Sequence, residues 1–397
     1  MNSAEDLHPQ LELIQKRSLT VGVVALVLCA GGVLLSPGQF FRSYLLAYVF
    51  WIGIALGSCA LVMLHNLTGG AWGAVIRRVL ESGMRTLPLM AVLFVPFLFG
   101  LPHLYEWARP EHVAGDALLQ HKAFYLNIPF FLLRTAVYFL VWLGLAYFLD
   151  KWSREHDQTA EPSVLRRLEA LSGPGLVLYG GTLSFAAVDW VMSLEPHWYS
   201  TIYGLLFMVG QALTTMAFAI IVLSYLADHK PLSEVVQAAH FHDLGNLLLA
   251  FVMLWAYVTF SQYLIIWSGN LAEEVPWYLH RTQGGWEWIG LSLIVFHFIL
   301  PFVLLLSRNA KRRKQMLVKI AAAILFMRLV DLFWLVMPSP PNSGFQIHWL
   351  DVVAPLGVGG LWLAYFCRQL KGRSLLPLHD PSLAGTGERA VEHAQEA

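Results

Sequence analysis

The sequence predicts an all-α integral membrane protein with about ten transmembrane helices. Its composition is the first observation: 57% of the 397 residues are hydrophobic and only 13% are charged, whereas soluble proteins carry about 25% charged residues. The second is the length of its apolar runs, several of which exceed the roughly 18 residues that mark a membrane-spanning helix. The third is the distribution of its basic residues, which are concentrated in alternate connections between those runs.

Ten apolar runs are predicted to span the membrane, with short loops between most of them. They cover residues 18–36, 43–66, 86–105, 126–149, 174–195, 201–226, 244–267, 286–307, 317–337 and 350–370. The longer connections fall at 106–124, 150–173 and 268–285. The chain is therefore divided into a polar N-terminal segment at 1–17, a membrane domain at 18–370 and a polar tail at 371–397.

The basic residues predict the orientation of these spans. The N-terminal segment and the segments after the even-numbered runs contain 18 Lys and Arg residues, against 4 in the other connections. Cytoplasmic loops of membrane proteins are enriched in Lys and Arg. Both termini are therefore predicted to lie in the cytoplasm, an arrangement that requires an even number of spans.

Four charged residues are predicted to lie inside the membrane, where each costs about 2.5–3.5 kcal/mol on insertion scales. They are Arg134, Asp189, Arg328 and Asp331. At about 1.5 Å per residue, all four fall into one layer in the outer third of the membrane. Val188-Asp189 and Val330-Asp331 are each followed by a proline seven residues after the aspartate. This match favours a duplicated four-helix unit, with chance as the alternative.

Helical periodicity predicts how these charges pair. Polar residues recur at i, i+7 and i+11 on two neighbouring helices: Asn127, Arg134 and Tyr138 on the fourth, Thr182, Asp189 and Ser193 on the fifth. Such stripes face the bundle rather than lipid. Arg134 is therefore predicted to pair with Asp189, and Arg328 with Asp331. The sequence leaves open whether these pairs are structural or line a path for protons or a polar ligand.

Further titratable residues extend the candidate path toward both faces. They are His65 at the end of the second run, His240, His242 and Asp243 before the seventh, His297 in the middle of the eighth, and Glu195 near the outside. Histidine titrates near neutral pH and can pass protons. The alternative interpretation makes Asp243 a helix cap and His297 an ordinary core residue with a hydrogen-bonded neighbour.

No redox centre is expected in this chain. Cys29, Cys59 and Cys367 are isolated, so no CxxC or CxxCH motif exists to hold an iron–sulfur cluster or c-type haem. The predicted depths of the histidines differ, which argues against haem b. No nucleotide-binding loop, nucleophile elbow or zinc motif is present either.

Several long motifs carry a family resemblance. They are WIGIALGSCALVMLHNLTGGAWG (51–73), LPLMAVLFVPFLFGLPHLYEWA (87–108), FAAVDWVMSLEPHWYSTIYG (185–204), the 42 residues from HFHDLGN to PWYLHR (240–281), FHFILPFVLLLSR (296–308) and LLPLHDP (375–381). Together they resemble the ActF-type membrane subunit of bacterial alternative complex III, within the polysulfide-reductase or NrfD-like superfamily. Some members carry a second histidine at the position of Asn66, and its absence here weakens the case for a histidine pair at His65.

The resemblance implies a subunit of a quinol:cytochrome c, or quinol:electron-acceptor, oxidoreductase in the bacterial cytoplasmic membrane. It implies two four-helix bundles, formed by helices 2–5 and 6–9 and flanked by helices 1 and 10. The expected partners are an iron–sulfur subunit, multihaem and monohaem cytochrome c subunits, a related ten-helix quinol-binding subunit, a terminal oxidase and lipids, but no nucleic acid. This chain is expected to contribute a proton path and assembly, with a quinone or menaquinone as its candidate ligand.

Two other functions fit the same residues. A structural scaffold for redox subunits would need the ion pairs but no proton transfer. A secondary transporter with its own substrate would place charges inside a bundle as well, and it predicts broken helices at corresponding positions in the two halves.

Overall fold

The computed structural model describes residues 7–338 and 344–377 and shows an all-α membrane protein. Of the described residues, 84% are helical, and none of them forms a strand. The predicted N-terminal segment at 1–17 is therefore described only from Leu7 onward, where the first helix already begins. Most of the predicted tail at 371–397 lies outside the described residues, as do the last four residues of the LLPLHDP motif.

Eighteen α-helices follow one another in the described part of the chain. They are α1 (Leu7–Leu35), α2 (Pro37–Thr68), α3 (Ala71–Met84), α4 (Leu87–Leu93), α5 (Phe97–Leu104), α6 (Pro110–Gly115), α7 (Ala117–Lys122), α8 (Ile128–Thr159), α9 (Pro162–Trp190), α10 (Tyr203–Leu226), α11 (Leu232–Val235), α12 (Ala238–Gly269), α13 (Val275–Arg281), α14 (Trp286–Ser292), α15 (Leu300–Leu306), α16 (Arg308–Arg312), α17 (Lys314–Val336) and α18 (Leu350–Lys371). Single 3₁₀ turns follow at Glu106–Ala108 and Met192–Leu194, and a π-helical stretch at Leu293–Ile299 joins α14 to α15.

Eight helical segments in the described residues are long and apolar enough to cross a membrane, and a bent pair makes a ninth. The predicted ninth span is present as α17, 23 residues long. Its charges, Lys314, Lys319, Arg328 and Asp331, are spread along the helix, so every stretch of 18 residues within it contains more than two of them. The multi-pass architecture is thus shown, whereas the count of ten depends on α17 crossing despite these charges.

The third predicted span is not one continuous helix. Instead of a helix over 86–105, the chain forms α3, α4 and α5, with a bend of 69° between Ala71–Leu93 and Phe97–Leu104. Pro96 lies at this bend, where its ring and missing N–H are incompatible with a straight helix interior. Residues 71–85, predicted to be a loop, are mostly helical.

The predicted loop at 150–173 is also wrong. Helices α8 and α9 extend through it and leave only Ala160 and Glu161 between them. Ala160 adopts the left-handed conformation that ends α8 (φ 54°), and Pro162 occupies the first position of α9, where proline is favoured. Hydropathy alone marks the part of a helix inside the membrane, not the polar turns that continue beyond it.

Two four-helix groups form the body of the protein, as predicted. Helix α2 packs against α3, α5 and α9, and α9 packs against α8, which assembles the first bundle. Helix α10 packs against α12 and α17, and α17 contacts the π-helical stretch, which assembles the second bundle. The two bundles meet where α10 packs against α2 and α9. In the apolar stretch of α2, 89% of the residues are buried, which makes α2 the central helix.

The first and last spans, predicted to flank the two bundles, pack against each other. Helix α1 lies along α18, and both contact α2. Their backbones touch at Gly22 and Gly360, where a Cβ on Gly22 would lie 2.7 Å from the Leu361 nitrogen. Glycine is therefore required at this crossing, because close backbone approach drives helix packing where lipid removes the hydrophobic advantage.

Candidate functional site

The basic ends of the helices meet on one face of the protein. Tyr225 donates to Gln10, Lys314 bonds Asp228 at 2.5 Å, and Lys311 donates to Asn246 at 2.6 Å. We call this face the basic face and the other the opposite face. Candidate residues are found near both faces and in the bundle interiors between them.

Arg134 and Asp189 form the buried ion pair that helical periodicity predicted. Arg134 Nε donates to Asp189 Oδ2 at 2.8 Å, and Nη2 donates to Oδ1 at 2.9 Å. Tyr138 Oη donates a third bond to Oδ2 at 2.7 Å. Asp189 is fully buried, so these bonds satisfy a carboxylate that has no access to water, as a buried charge requires.

Aromatic rings enclose the guanidinium of Arg134. Its carbon lies 3.8 Å from the Tyr125 ring centroid and 4.4 Å from that of Phe130, within the range of cation–π attraction. A mainly apolar cavity of about 300 Å³ lies beside the pair, lined by Tyr125, Val188 and Ser193 among others. Both ends of the pair are thus held rigidly next to an open space near the opposite face.

Arg328 and Asp331 form the second predicted pair, within α17. Arg328 Nη1 bonds Asp331 Oδ2, which also accepts from Trp255 Nε1 at 3.2 Å. Gly210 makes room for the guanidinium, because a Cβ there would lie 2.3 Å from Arg328 Nη2. The partner helices differ from those of the first bundle, so the surroundings of the two aspartates are not alike.

His297 lies beside this second pair without joining it. Its ring is fully buried in the π-helical stretch, with its centroid 4.3 Å from that of Trp255. Neither ring nitrogen has a hydrogen-bond partner among the described residues. The prediction of a buried position for His297 is confirmed, whereas the prediction of a hydrogen-bonded neighbour is wrong. A π-helical turn is often a functional feature.

Glu195 joins the two bundles at the opposite face. Arg281 Nη2 donates to Glu195 Oε1 at 2.7 Å and to the Leu335 carbonyl at 3.1 Å, one turn beyond Asp331. The Arg281 guanidinium also lies 3.7 Å from the Trp277 ring centroid. Sequence reasoning placed Glu195 near this face but missed Arg281, which it counted only as a loop charge.

His65 lines a cavity that opens toward the basic face. Its Nε2 lies 3.1 Å from the Gly70 carbonyl oxygen, and Gly73 leaves the space that the ring occupies. The cavity has a volume of about 220 Å³ and is also lined by His156, Arg77 and Asp157. Its polar lining comes from the helices of the first bundle.

A charge cluster beside this cavity was missed by sequence reasoning. Glu81 is 1% exposed, and its carboxylate accepts from Arg77 at 3.0 Å, Arg78 at 2.6 Å and Ser153 at 2.5 Å. Arg78 also binds both oxygens of Asp157, at 2.6 and 2.7 Å. Arg77 and Arg78 precede Glu81 by four and three residues, which is the spacing of one helix face. That spacing was the available signal.

His240, His242 and Asp243 lie at the start of α12, and none of them lines the His65 cavity. His240 Nδ1 accepts from the Gln237 N–H at 3.0 Å, so Gln237 and His240 cap the helix. The interpretation of Asp243 as the cap is therefore wrong. Asp243 lies 3.5 Å from His242 on the surface. The two predicted entrance clusters are separate features.

Helix α9 carries a polar stripe from the His65 cavity to Asp189. Asn66 donates to Ser172 at 3.1 Å, Tyr179 donates to Gln211 at 2.8 Å, and Trp142 donates to Thr182 at 2.9 Å. Along the helix axis, Ser172 and Tyr179 are about 10 Å apart, and Tyr179 and Asp189 about 15 Å. Proton transfer along this stripe requires water between the side chains.

No group of three or more His, Cys, Asp or Glu side chains within 7–338 and 344–377 could hold a metal ion. In the described part of the chain, the site therefore consists of ion pairs, hydroxyls and histidines that could position or move protons. No protein-family model and no curated protein matches the sequence.

Proposed function

We propose that this protein is a membrane subunit of a respiratory quinol:electron-acceptor oxidoreductase and that its first bundle provides a transmembrane proton path. The proposal includes the bacterial cytoplasmic membrane, with the basic face toward the cytoplasm, as the excess of Lys and Arg there favours. It also includes the cytochrome c, iron–sulfur and quinol-binding partner subunits. The motif resemblance supports the complex, and the polar stripe of α9 supports the path.

The observation that carries the path is the position of Asp189. Its carboxylate is fully buried, belongs to the polar stripe of α9, and lies beside a cavity near the opposite face. Ser193 continues the stripe one turn further. Buried ionisable residues inside membrane proteins mark ion or proton pathways. In this path, protons enter at the His65 cavity, pass along α9 to Asp189, and leave on the side of Glu195.

The scaffold alternative explains the same ion pairs without proton transfer. Breaking a buried pair destabilises a protein strongly even where the intact pair adds little stability. A scaffold therefore predicts that substitutions at Asp189 act through assembly alone. The transporter alternative has less support, because the bend lies between α4 and α5 whereas the corresponding helix of the second half, α12, is continuous over Ala238–Gly269.

The test is the Asp189→Asn substitution in the complete complex. Asparagine has the shape of aspartate but cannot carry a proton. We expect the complex to assemble with a normal subunit composition while the rate of quinol oxidation falls by about tenfold or more, as for loss of an essential proton-transfer group, or while proton release falls to what quinol oxidation itself liberates. Quinol oxidation is followed spectroscopically through the acceptor, and proton release by a pH dye in vesicles.

Asp351→Asn is the matched control. Asp351 is a buried aspartate at the start of α18 that accepts from Ser43 at 2.6 Å and Gln39 at 2.9 Å, away from the stripe of α9. We expect near-normal turnover and proton release from this variant. If the Asp189→Asn complex assembles and its turnover and proton release are unchanged, the proton path is excluded and only the scaffold function is left. A purified complex without cytochrome c and iron–sulfur subunits would exclude the respiratory assignment itself.

A further inference from the structure

The last described residues of the chain return to the first bundle after α18 ends. The chain turns at Gly372, and the guanidinium of Arg373 enters the charge cluster around Glu81. Arg373 Nη1 donates to Glu81 Oε2 at 2.9 Å, and Nη2 donates to the Asp150 carbonyl at 3.1 Å. Nη2 also lies 3.0 Å from Asp150 Oδ1. Two helices of the bundle, α3 and α8, therefore bind one side chain of the C-terminal segment.

The residues that follow reach the cavity at His65. Leu375 and Leu376 are partly buried against the hydrophobic core. Pro377 is buried and forms part of the cavity wall, together with His65 and His156. The segment thus runs from an ion-pair attachment at Arg373 to a wall of the cavity at Pro377.

The attachment is separable from the bundle that it joins. Glu81 keeps its bonds to Arg77, Arg78 and Ser153 when Arg373 is absent, so no buried carboxylate is left unpaired. The Arg373 side chain is 10% exposed and that of Asp150 is 17% exposed. This contact is therefore more open to solvent than the inner part of the cluster, where the side chains of Arg78 and Glu81 are only 3% and 2% exposed. The Arg373 contact is the weaker and more accessible part of the cluster.

We propose that residues 372–377 form a strap that restricts access to the His65 cavity from the basic face, with Arg373 as its releasable latch. Release of Arg373 from Glu81 and Asp150 lets Pro377 move away from the cavity wall and opens the space around His65 and His156. The strap regulates the proton entrance, so its physiological meaning rests on the proposed function. The existence of the strap does not depend on that function, because the experiment measures only access to the cavity.

The experiment measures how fast a small polar thiol reagent reaches the cavity in the full-length chain. Leu165 lines the cavity and is half-buried, so Leu165→Cys is the reporter. The three native cysteines are buried, and the chain without the reporter gives their background. Asn309→Cys, at an exposed site on the same face in the other bundle, reports any change in the intrinsic labelling rate.

We expect Arg373→Gln to raise the labelling rate at Leu165→Cys by about tenfold, the effect of losing a charged hydrogen bond. Arg373→Lys keeps the charge, so its labelling rate should lie between that of the unchanged chain and that of Arg373→Gln. Arg368→Gln, on the exposed side of α18, is the matched control and is expected to leave the rate unchanged. Equal rates in Arg373→Gln and the unchanged chain would overturn the strap, as would a parallel rise at Asn309→Cys.

Salt provides a second measurement. Exposed ion pairs are screened strongly as ionic strength rises, and buried or partly buried pairs are screened much less. The labelling rate at Leu165→Cys should therefore rise only modestly between low and high salt in the chain with Arg373, and less in Arg373→Gln, while that at Asn309→Cys stays constant. A salt response of the same size in Arg373→Gln would contradict Arg373 as the latch.

Discussion

Arg134 binds both carboxylate oxygens of Asp189, and Tyr138 donates a third bond to the same group. The three side chains come from α8 and α9, the two helices whose polar stripes are aligned in the sequence. A bidentate arginine is geometrically specific as well as strongly attractive. The pair therefore fixes the rotation of one helix against the other.

Removing one member of this pair should destabilise the protein more than removing both. We expect Arg134→Met to lower the free energy of unfolding by about 3–5 kcal/mol, because Asp189 would be left charged and buried. In Arg134→Met/Asp189→Asn, much of this loss should be recovered. Unfolding in mixed micelles, followed by circular dichroism, measures both. Additive losses in the double variant would show that the two side chains do not interact.

The pairing of Arg134 with Asp189 could be predicted because helical periodicity gives both face and depth. The pairing of Arg328 with Asp331 could also be predicted, but the second partner of Asp331, Trp255, could not. Trp255 reaches it from α12, and only the packed bundle shows that these helices face each other there. The broken third span also escaped prediction, because the apolar run at 86–105 continues through Pro96 without a change in hydropathy.

Glu81 should be more important for stability than its latch partner. Glu81→Gln leaves the guanidinium groups of Arg77 and Arg78 without their shared carboxylate in a buried site. We expect a loss of about 3–5 kcal/mol in the free energy of unfolding. Arg373→Gln should cost less, about 1.5 kcal/mol, because Glu81 keeps its three other donors and only a charged hydrogen bond is lost. The same micelle unfolding assay compares the two, and equal losses would contradict this order.

The Glu81 cluster shows why hydropathy alone located only part of the site. A basic pair such as Arg77-Arg78 is typical of a cytoplasmic loop, and this interpretation concealed the helix that contains it. Asp150, Ser153 and Asp157 recur on one face of α8, opposite Arg78. Matching polar faces on two helices, rather than searching for apolar runs, would have found the cluster.

His297 should tolerate an apolar replacement. Both ring nitrogens are buried without a partner among the described residues, and an unpartnered polar group costs about 1–3 kcal/mol. We expect His297→Phe to leave the free energy of unfolding unchanged or to raise it by up to about 1 kcal/mol. His297→Gln, which keeps polarity, is the control and should not be stabilising. Destabilisation by the Phe variant would indicate a bound water and a place for His297 in a proton relay.

The membrane orientation can be tested at two connections. Reporter fusions after Leu35 and after Gly269 follow α1 and α12, the first and seventh predicted spans. Both should report the outside of the cell, because the basic face then lies in the cytoplasm. Active alkaline phosphatase at each site, and inactive phosphatase after Thr159, would agree with this topology. A cytoplasmic report after Gly269 would mean that one earlier helical segment does not cross.

The connection between α5 and α8 should loosen in acid because of Asp116. Its Oδ1 accepts from the N–H groups of Leu118 and Leu119 at the start of α7, and its Oδ2 lies 2.7 Å from His197 Nε2. The Leu119 N–H and the His197 side chain lower the pKa of the Asp116 carboxyl from 3.8. The pKa of Asp116 is lower in the folded protein than in the unfolded chain. Its carboxylate therefore stabilises this contact fully above the unfolded-state pKa, and this stabilisation is lost as the pH falls through the folded-state pKa.

A spin label at His112→Cys, an exposed position on α6, measures this change. Its mobility should be low near pH 6 and rise as the pH falls below about 4, while the membrane helices keep their circular dichroism. In Asp116→Ala the label should be mobile already at pH 6, with little further response to acid. His197→Gln keeps the backbone bonds to Asp116 and should give an intermediate mobility at pH 6. An acid response that persists in Asp116→Ala would assign the titration to another group.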